Sequence, residues 1–177
     1  MRVAVMCLVA LAATAAAQCM APSTENEFTA DTPSSTAISM RAKTVTIDGR
    51  GVKVQVWVTP AQERFRATSR PFYNGAKGVL LVYDITNQTS FDNLGMWLQE
   101  LRNHLSASPV FVLVGNKSDL EHMRAVKTET ASRFAREHGM SFMETSALRN
   151  ANVEEAFKHL VRAMHEVSPM SGAEAAA

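Results

Sequence analysis

Glycine is missing from the front of this 177-residue chain: of its 8 glycines the earliest is Gly49. Lysine is missing there too, with none before Lys43. Together these absences exclude an early glycine-rich loop that could wrap its N–H groups around a phosphate and place a lysine beside it. Cysteine is scarce. Cys7 and Cys19 are too few for a disulfide framework and lack metal-ligand spacing. Charge of one sign is not in excess: 18 Lys and Arg against 17 Asp and Glu give a formal net charge of +1. No basic field of the kind that nucleic-acid binding needs is present, so no nucleic-acid partner is expected. Nor is there an apolar run long enough to cross a bilayer comfortably.

The length fits one domain with a sizeable core. Its front is ambiguous. Met1-Arg2, the apolar run Val3 to Ala13 and the small residues Ala15-Ala16-Ala17 make the pattern of a secretory signal peptide. The alternative is that Val3 to Val9 is a buried strand, since continuous apolar runs of this length suit a parallel sheet. From Gln18 to Ser39 the composition turns to Ser, Thr, Pro, Ala and Asn and reads as a linker.

Past the linker the pattern is regular. Lys43 to Ile47 and Val52 to Val58 are β-rich stretches around Asp48-Gly49, a hairpin signal. Gly78 to Ile85, Pro109 to Val114 and Ser141 to Met143 suit central strands. Leu94, Trp97, Leu98 and Leu101 form a helical stripe, as do Val153, Ala156, Phe157, Leu160, Val161 and Met164. Asn152 with Glu155 makes a capping-box-like start to the second stripe. A further helix is expected over Thr128 to His138, stopped by Gly139. Alternation of strand and helix predicts an α/β architecture: a mostly parallel sheet flanked by helices, with an antiparallel hairpin at one edge. Ligands in such sheets bind beyond the carboxyl ends of the strands.

Two motifs stand at those ends. Gly115-Asn116-Lys117-Ser118-Asp119 follows one strand and Glu144-Thr145-Ser146-Ala147 another. A carboxylate at Asp119 suits the two-donor edge of guanine, N1–H and the exocyclic amine, which adenine lacks. The Lys117 stem can lie along a base plane, the Asn116 amide can tie the loop to its neighbours and reach the base, and the Ala147 N–H can donate to guanine O6. As N-K-x-D and S-A these motifs resemble the base-binding motifs of the Ras superfamily. The segments Lys53 to Trp57, Gln62 to Arg66, Phe72 to Ala76, Leu81 to Thr86 and Trp97 to Leu101 narrow the resemblance to Rab-type small GTPases, over about Thr44 to Met164.

The resemblance implies a Ras-like P-loop NTPase fold with its N-terminal strand and P-loop region degenerate. It divides the chain into an atypical segment over 1–39, a GTPase-like domain over 40–168 and a disordered tail over 169–177. It implies guanine-nucleotide (GTP/GDP) binding in vesicle-mediated transport, with Asn116, Lys117, Asp119, Ser146 and Ala147 on the base. Gln62 stands where the family orients the attacking water. Ala61 stands where the family has the glycine that meets the γ-phosphate. The family's Mg2+ is expected on Thr36 or Ser35. Rab effectors or regulators are expected on a surface built from Met40, Trp57 and Phe72, positions that match the family's aromatic triad with one aromatic lost. A cytoplasmic location is implied, on the cytosolic face of endomembranes, which conflicts with a secretory leader.

Departures from the family pattern fall on one half of the site. No G-x-x-x-x-G-K-[ST] is present, and the family's D-T-A-G is here Val58-Thr59-Pro60-Ala61. Val58 replaces an acid that holds the metal, and Pro60 stiffens a segment that has to move. Weak nucleotide binding and lost hydrolysis are expected. The carboxyl end, Ser171 to Ala177, has no cysteine for prenylation, so no stable lipid anchor is expected. Two alternatives stand beside this reading: a pseudo-GTPase scaffold with no nucleotide role, or a misassembled gene product whose front is not native to it.

Overall fold

Six strands form one sheet in the order β2-β3-β1-β4-β5-β6 in the computed structural model, which describes residues 2–9, 38–47, 49–59, 69–73, 75–105 and 109–167. The strands are β1 (Arg2–Val9), β2 (Ser39–Ile47), β3 (Arg50–Thr59), β4 (Gly78–Asp84), β5 (Val110–Asn116) and β6 (Ser141–Thr145). Only β2 runs against its neighbour; β3, β1, β4, β5 and β6 are parallel throughout. The β2–β3 hairpin closes between Ile47 and Arg50, with Gly49 at φ +75°, the left-handed backbone that a two-residue turn demands.

The ambiguous front run is a strand. Arg2 to Leu8 pairs with Lys53 to Thr59 on one side, and Val5 to Val9 pairs with Gly78 to Val82 on the other. Arg2 to Val9 thus hold the middle of the sheet, between β3 and β4, while the rest of the leader pattern, Ala10 to Ala17, lies outside the described residues. β2 also begins at Ser39, ahead of the expected Lys43, because its pairing with β3 continues as far as Val58. Most of the expected linker, and the tail from 168, lie outside the described residues.

Helices α1 (Gln88–Asp92), α2 (Leu94–His104), α3 (Thr128–Glu137) and α4 (Val153–Val167) cover the sheet. Because side chains alternate along a strand, β4 sends Leu80 and Val82 to one face and Val79, Leu81 and Tyr83 to the other. On the first face α4 lays Ala156, Phe157, Leu160, Val161 and Met164 against Val54, Val56, Leu80, Val82, Val112 and Val114. On the second, α2 lays Leu94, Trp97, Leu98 and Leu101, and α3 lays Ala131 and Ala135, against Val79, Leu81, Tyr83 and Leu113. Each fully buried Leu or Phe in these layers contributes about 1.5–3 kcal/mol.

Helix ends follow local chemistry, with one difference. Gly139, at φ +68°, closes α3: its N–H donates to Arg136 and that of Met140 to Ala135, which satisfies the last carbonyls. Asn152 does precede α4, and its carbonyl accepts from the Ala156 N–H. Yet it sits at φ +58° and its side-chain amide donates to the Glu144 carbonyl, while Glu155 turns to Lys158. The expected reciprocal capping box is thus replaced by a tie back to β6. Among the described residues no helix is long and apolar enough to cross a membrane.

Candidate functional site

Three parallel strands end level with one another. Asp84 of β4 pairs with Asn116 of β5, and Asn116 with Thr145 of β6, so a row of polar residues lies across the carboxyl edge of the sheet. All three are buried. Burial obliges each polar atom to find a partner, and most have. Asn116 Oδ1 accepts from Thr145 Oγ1 and from the Ala147 N–H, both at 3.2 Å. Asp84 Oδ1 accepts from the Thr86 N–H at 2.8 Å and from its hydroxyl at 2.7 Å, and Oδ2 lies 2.6 Å from Lys117 Nζ. One group is left over. Asn116 Nδ2 is buried with no partner among the described residues. A buried donor without an acceptor is costly unless a ligand supplies one, and a guanine edge carries acceptors at N7 and O6.

The chain turns sharply after Asn116. Lys117 adopts φ +69°, ψ +35°, the left-handed conformation that a side chain disfavours, and the 3-10 helix Ser118–Met123 follows. This strain places Asp119 against the neighbouring loop, where its Oδ1 accepts from Ser146 Oγ at 2.5 Å. Ser146 Oγ also accepts from the Arg149 N–H at 3.0 Å, and the backbones of Ser146 and Ala151 exchange two hydrogen bonds. Asp119 is half-buried and retains its second oxygen as an acceptor. So Asn116, Lys117, Asp119, Ser146 and Ala147 are brought together as the sequence predicts. The Ala147 N–H, expected on a base carbonyl, donates to Asn116 instead.

Other residues of this constellation have no role in the sequence reading. Asp84 is the one charged residue of its strand, and its burial holds Lys117. Arg124, its side chain 13% exposed, joins both loops. Its Nε and Nη2 bind Glu121, its Nη1 and Nη2 bind Glu144, and Nη1 also donates to the Val126 carbonyl. All five guanidinium N–H groups are used. Glu121 is two residues beyond Asp119, and Glu144 two residues before Ser146. The contact with Glu121, then that with Glu144, holds Arg124 more firmly protonated than an ordinary arginine.

The phosphate side differs. Val58, where an acidic metal holder was expected to be lost, is apolar and packed into the core at the end of β3. No cluster of three His, Cys, Asp or Glu able to hold a metal occurs among the described residues. The Val58 side chain itself offers no oxygen to a metal ion. Ser35, Thr36, Ala61 and Gln62 lie outside the described residues. On the hairpin, Met40 stands opposite Trp57, and the Trp57 and Phe72 rings meet at 5.2 Å, so the three predicted contact residues gather on one surface.

A family model described as the Ras family matches residues 12–166. The GTP-binding protein ypt3 of Schizosaccharomyces pombe is 50% identical over 135 residues, 76% of this chain and 63% of its own length. The Ras-related protein YPTC6 of Chlamydomonas reinhardtii is 44% identical over 144 residues, covering 81% of this chain and 67% of its own. The Ras-related protein RABA2a of Arabidopsis thaliana is 45% identical over 144 residues, covering 81% and 66%. The chain thus spans about two thirds of the length of these relatives.

Proposed function

From the premise that this chain belongs to the Ras family, as a small GTPase of Rab type, we propose that it is a guanine-binding Rab-like protein of vesicle-mediated transport that no longer hydrolyses GTP. The observation that carries the reading is the pairing of the two base loops, with Ser146 fixing Asp119 and Asn116 holding Ala147. Asp119 then presents a charged acceptor to the N1–H and amine of guanine, while Asn116 Nδ2 supplies a donor. Adenine lacks the N1–H and the amine beside it that Asp119 would accept, and is rejected.

Hydrolysis needs a cradle and a metal. The sequence between β1 and β2 contains no glycine and no lysine, and Val58 offers a hydrocarbon where a carboxylate would face the ion. Gln62 keeps the identity of the water-orienting residue. Charge-assisted hydrogen bonds contribute about 1.5–3 kcal/mol each. Loss of three or four removes on the order of 5–10 kcal/mol, or roughly 10⁴- to 10⁷-fold in affinity.

A second reading, a scaffold that binds a partner without nucleotide, is favoured by the surface near Phe72. The 3-10 helix Arg70–Phe72 is tied to α2 by Arg70 Nε on Glu100 Oε1 at 2.7 Å, and Phe72 rests on Trp57. This surface is held by contacts within the chain and suits an effector or regulator of Rab proteins at the cytosolic face of an endomembrane.

Purified protein, denatured and run on an anion-exchange column, shows whether nucleotide co-purifies. A fluorescent guanine nucleotide titrated with and without Mg2+ then separates the readings. Weak, Mg2+-independent binding without turnover is expected. Tight Mg2+-dependent binding with hydrolysis overturns the loss of catalysis; no binding beside a cooperative melt leaves the scaffold.

A further inference from the structure

We propose that Asp84 is a positioning residue of the site: it fixes the Lys117 side chain as an aliphatic shelf for the face of a bound purine, while Asp119 reads the edge. The inference rests on the base-binding reading above and adds a residue that sets affinity apart from selectivity. Asp84 is held independently of Lys117. Its carbonyl accepts from the Asn87 N–H at 3.0 Å, and its N–H donates to Ser90 Oγ at 3.0 Å. Its Oδ1 takes both the N–H and the hydroxyl of Thr86. Its Oδ2 then meets Lys117 Nζ at 2.6 Å.

The lysine contributes the second half. Asp84 ends β4, and Asn116, the residue paired with it, ends β5. An ammonium on Asp84 therefore draws the Lys117 side chain back across the ends of two neighbouring strands. Such strands lie about 4.8 Å apart, a gap that the four carbons of a lysine stem span. The stem is pinned at both ends, by its own backbone and by the ammonium. The side chain stays 41% exposed, so it keeps surface for a ligand to cover.

Stability alone does not account for this arrangement. Lys117 holds a left-handed backbone, φ +69°, which a side chain disfavours, and an ion pair with one partly exposed partner stabilises little. A role in binding explains both features, because a long side chain that is already ordered loses no freedom when a ligand covers it. Ordering a free one at an interface weakens binding by roughly two- to tenfold. Face contact is shared by every purine, whereas the N1–H and its neighbouring amine belong to guanine. Asp84 thus acts on affinity and Asp119 on selectivity.

The test is a binding series on the full chain by ligand-observed NMR, with guanosine, inosine and adenosine. Inosine lacks the exocyclic amine, so the guanosine-to-inosine ratio reads the Asp119 contact. Asp84→Asn is expected to weaken guanosine and inosine together, by at least threefold each, and to leave their ratio within twofold of the parent's. Lys117→Met, which keeps a stem but no ammonium, is expected to show the same uniform loss. In that background Asp84→Asn should change guanosine binding less than twofold. A loss below threefold in Asp84→Asn, or losses that multiply in the double variant, overturns the proposal and leaves the base reading standing. A ratio that collapses together with affinity marks a displaced Asp119 loop and overturns it as well. Guanosine bound no tighter than adenosine by the unaltered chain, or neither bound, overturns both. Should Asp84→Asn fail to fold, Lys117→Met, altered at a partly exposed side chain, decides by the same two thresholds.

Discussion

Tyr83 carries a hydroxyl deep in the layer between β4 and α1, edge-on to Phe91 at 5.2 Å, and that hydroxyl has no partner among the described residues. Burial, and then the charge of Glu144, push its ionisation above the ordinary 10.0, with Arg124 pulling the other way. The folded protein therefore holds Tyr83 protonated at pH values where the unfolded chain ionises it. Stability from this group is whole below pH 10.0 and is lost as the pH climbs beyond it. Tyr83→Phe removes the orphan and keeps the ring, so a gain of about 1 kcal/mol is expected at neutral pH. The variant should also lose less stability than the parent when urea melts are repeated above pH 10.0; identical slopes would show that Tyr83 does not titrate as described. Asn116→Ala works in the other direction. It strands the Thr145 hydroxyl and the Ala147 N–H in the interior, at about 1–3 kcal/mol. Urea denaturation measures that loss, and guanine binding should vanish with it.

Elements that lie far apart in the chain meet through single side chains, and Arg124 is the main case. It staples the 3-10 helix Ser118–Met123 to β6 through Glu121 and Glu144, and Thr128 at the start of α3 adds a hydroxyl to the same Glu144 carboxylate at 3.1 Å. Arg124→Met is expected to cost about 1–3 kcal/mol, chiefly by leaving Glu144 half-paired. It should also cut the preference for guanosine over adenosine several-fold, because Asp119 and Ser146 lose their common brace. Arg124→Lys should recover little, since one ammonium cannot reproduce the paired, planar contacts that the guanidinium makes with each carboxylate. Unchanged base preference in both variants would reduce Arg124 to a structural tie. The Arg124 contact holds the Glu121 carboxyl below its usual 4.5, so that arm of the staple is intact above pH 4.5 and weakens only as the pH drops below it.

The same contrast explains what could be read in advance. The base loops were legible because Asn116 to Asp119 and Ser146 to Ala147 are contiguous, each placed where an apolar run stops. Helices α2 and α4 were legible from periodicity, and the end of α3 from Gly139. Arg124 and Glu144, 20 residues apart, carry no common signal until the sheet aligns them. Asp84 and Lys117 are likewise joined only by the level ends of β4 and β5. The one-turn helix α1 did have a local signal, since Asn87 Oδ1 accepts from the Ser90 N–H at 3.2 Å, but five residues give no periodicity to detect.

For the whole molecule the decisive element is β1. Composition alone leaves Val3 to Val9 as either leader or strand, because both demand an unbroken apolar run. Topology gives the strand a place. Among the described residues, in the order β2-β3-β1-β4-β5-β6, β1 is the only strand that links the hairpin to the rest of the sheet. Without it β3 and β4 would each expose an unpaired edge, and the hairpin would keep mainly the contacts of β2 with α4. Edges of that kind, apolar and unpaired, template aggregation. A chain starting at Gln18, as cleavage after Ala15-Ala16-Ala17 would leave it, is therefore expected to be aggregated or to melt without a cooperative transition, while the full chain unfolds cooperatively. Circular dichroism melts and size-exclusion chromatography of the two chains provide the comparison. Intact mass of the protein recovered from cells adds the biological half: residue Val3 should be present in every folded molecule. A monomeric, cooperatively melting protein that begins at Gln18 would mean that the sheet closes by some other strand, and the level row of Asp84, Asn116 and Thr145 would then have to be held without β1 beside it.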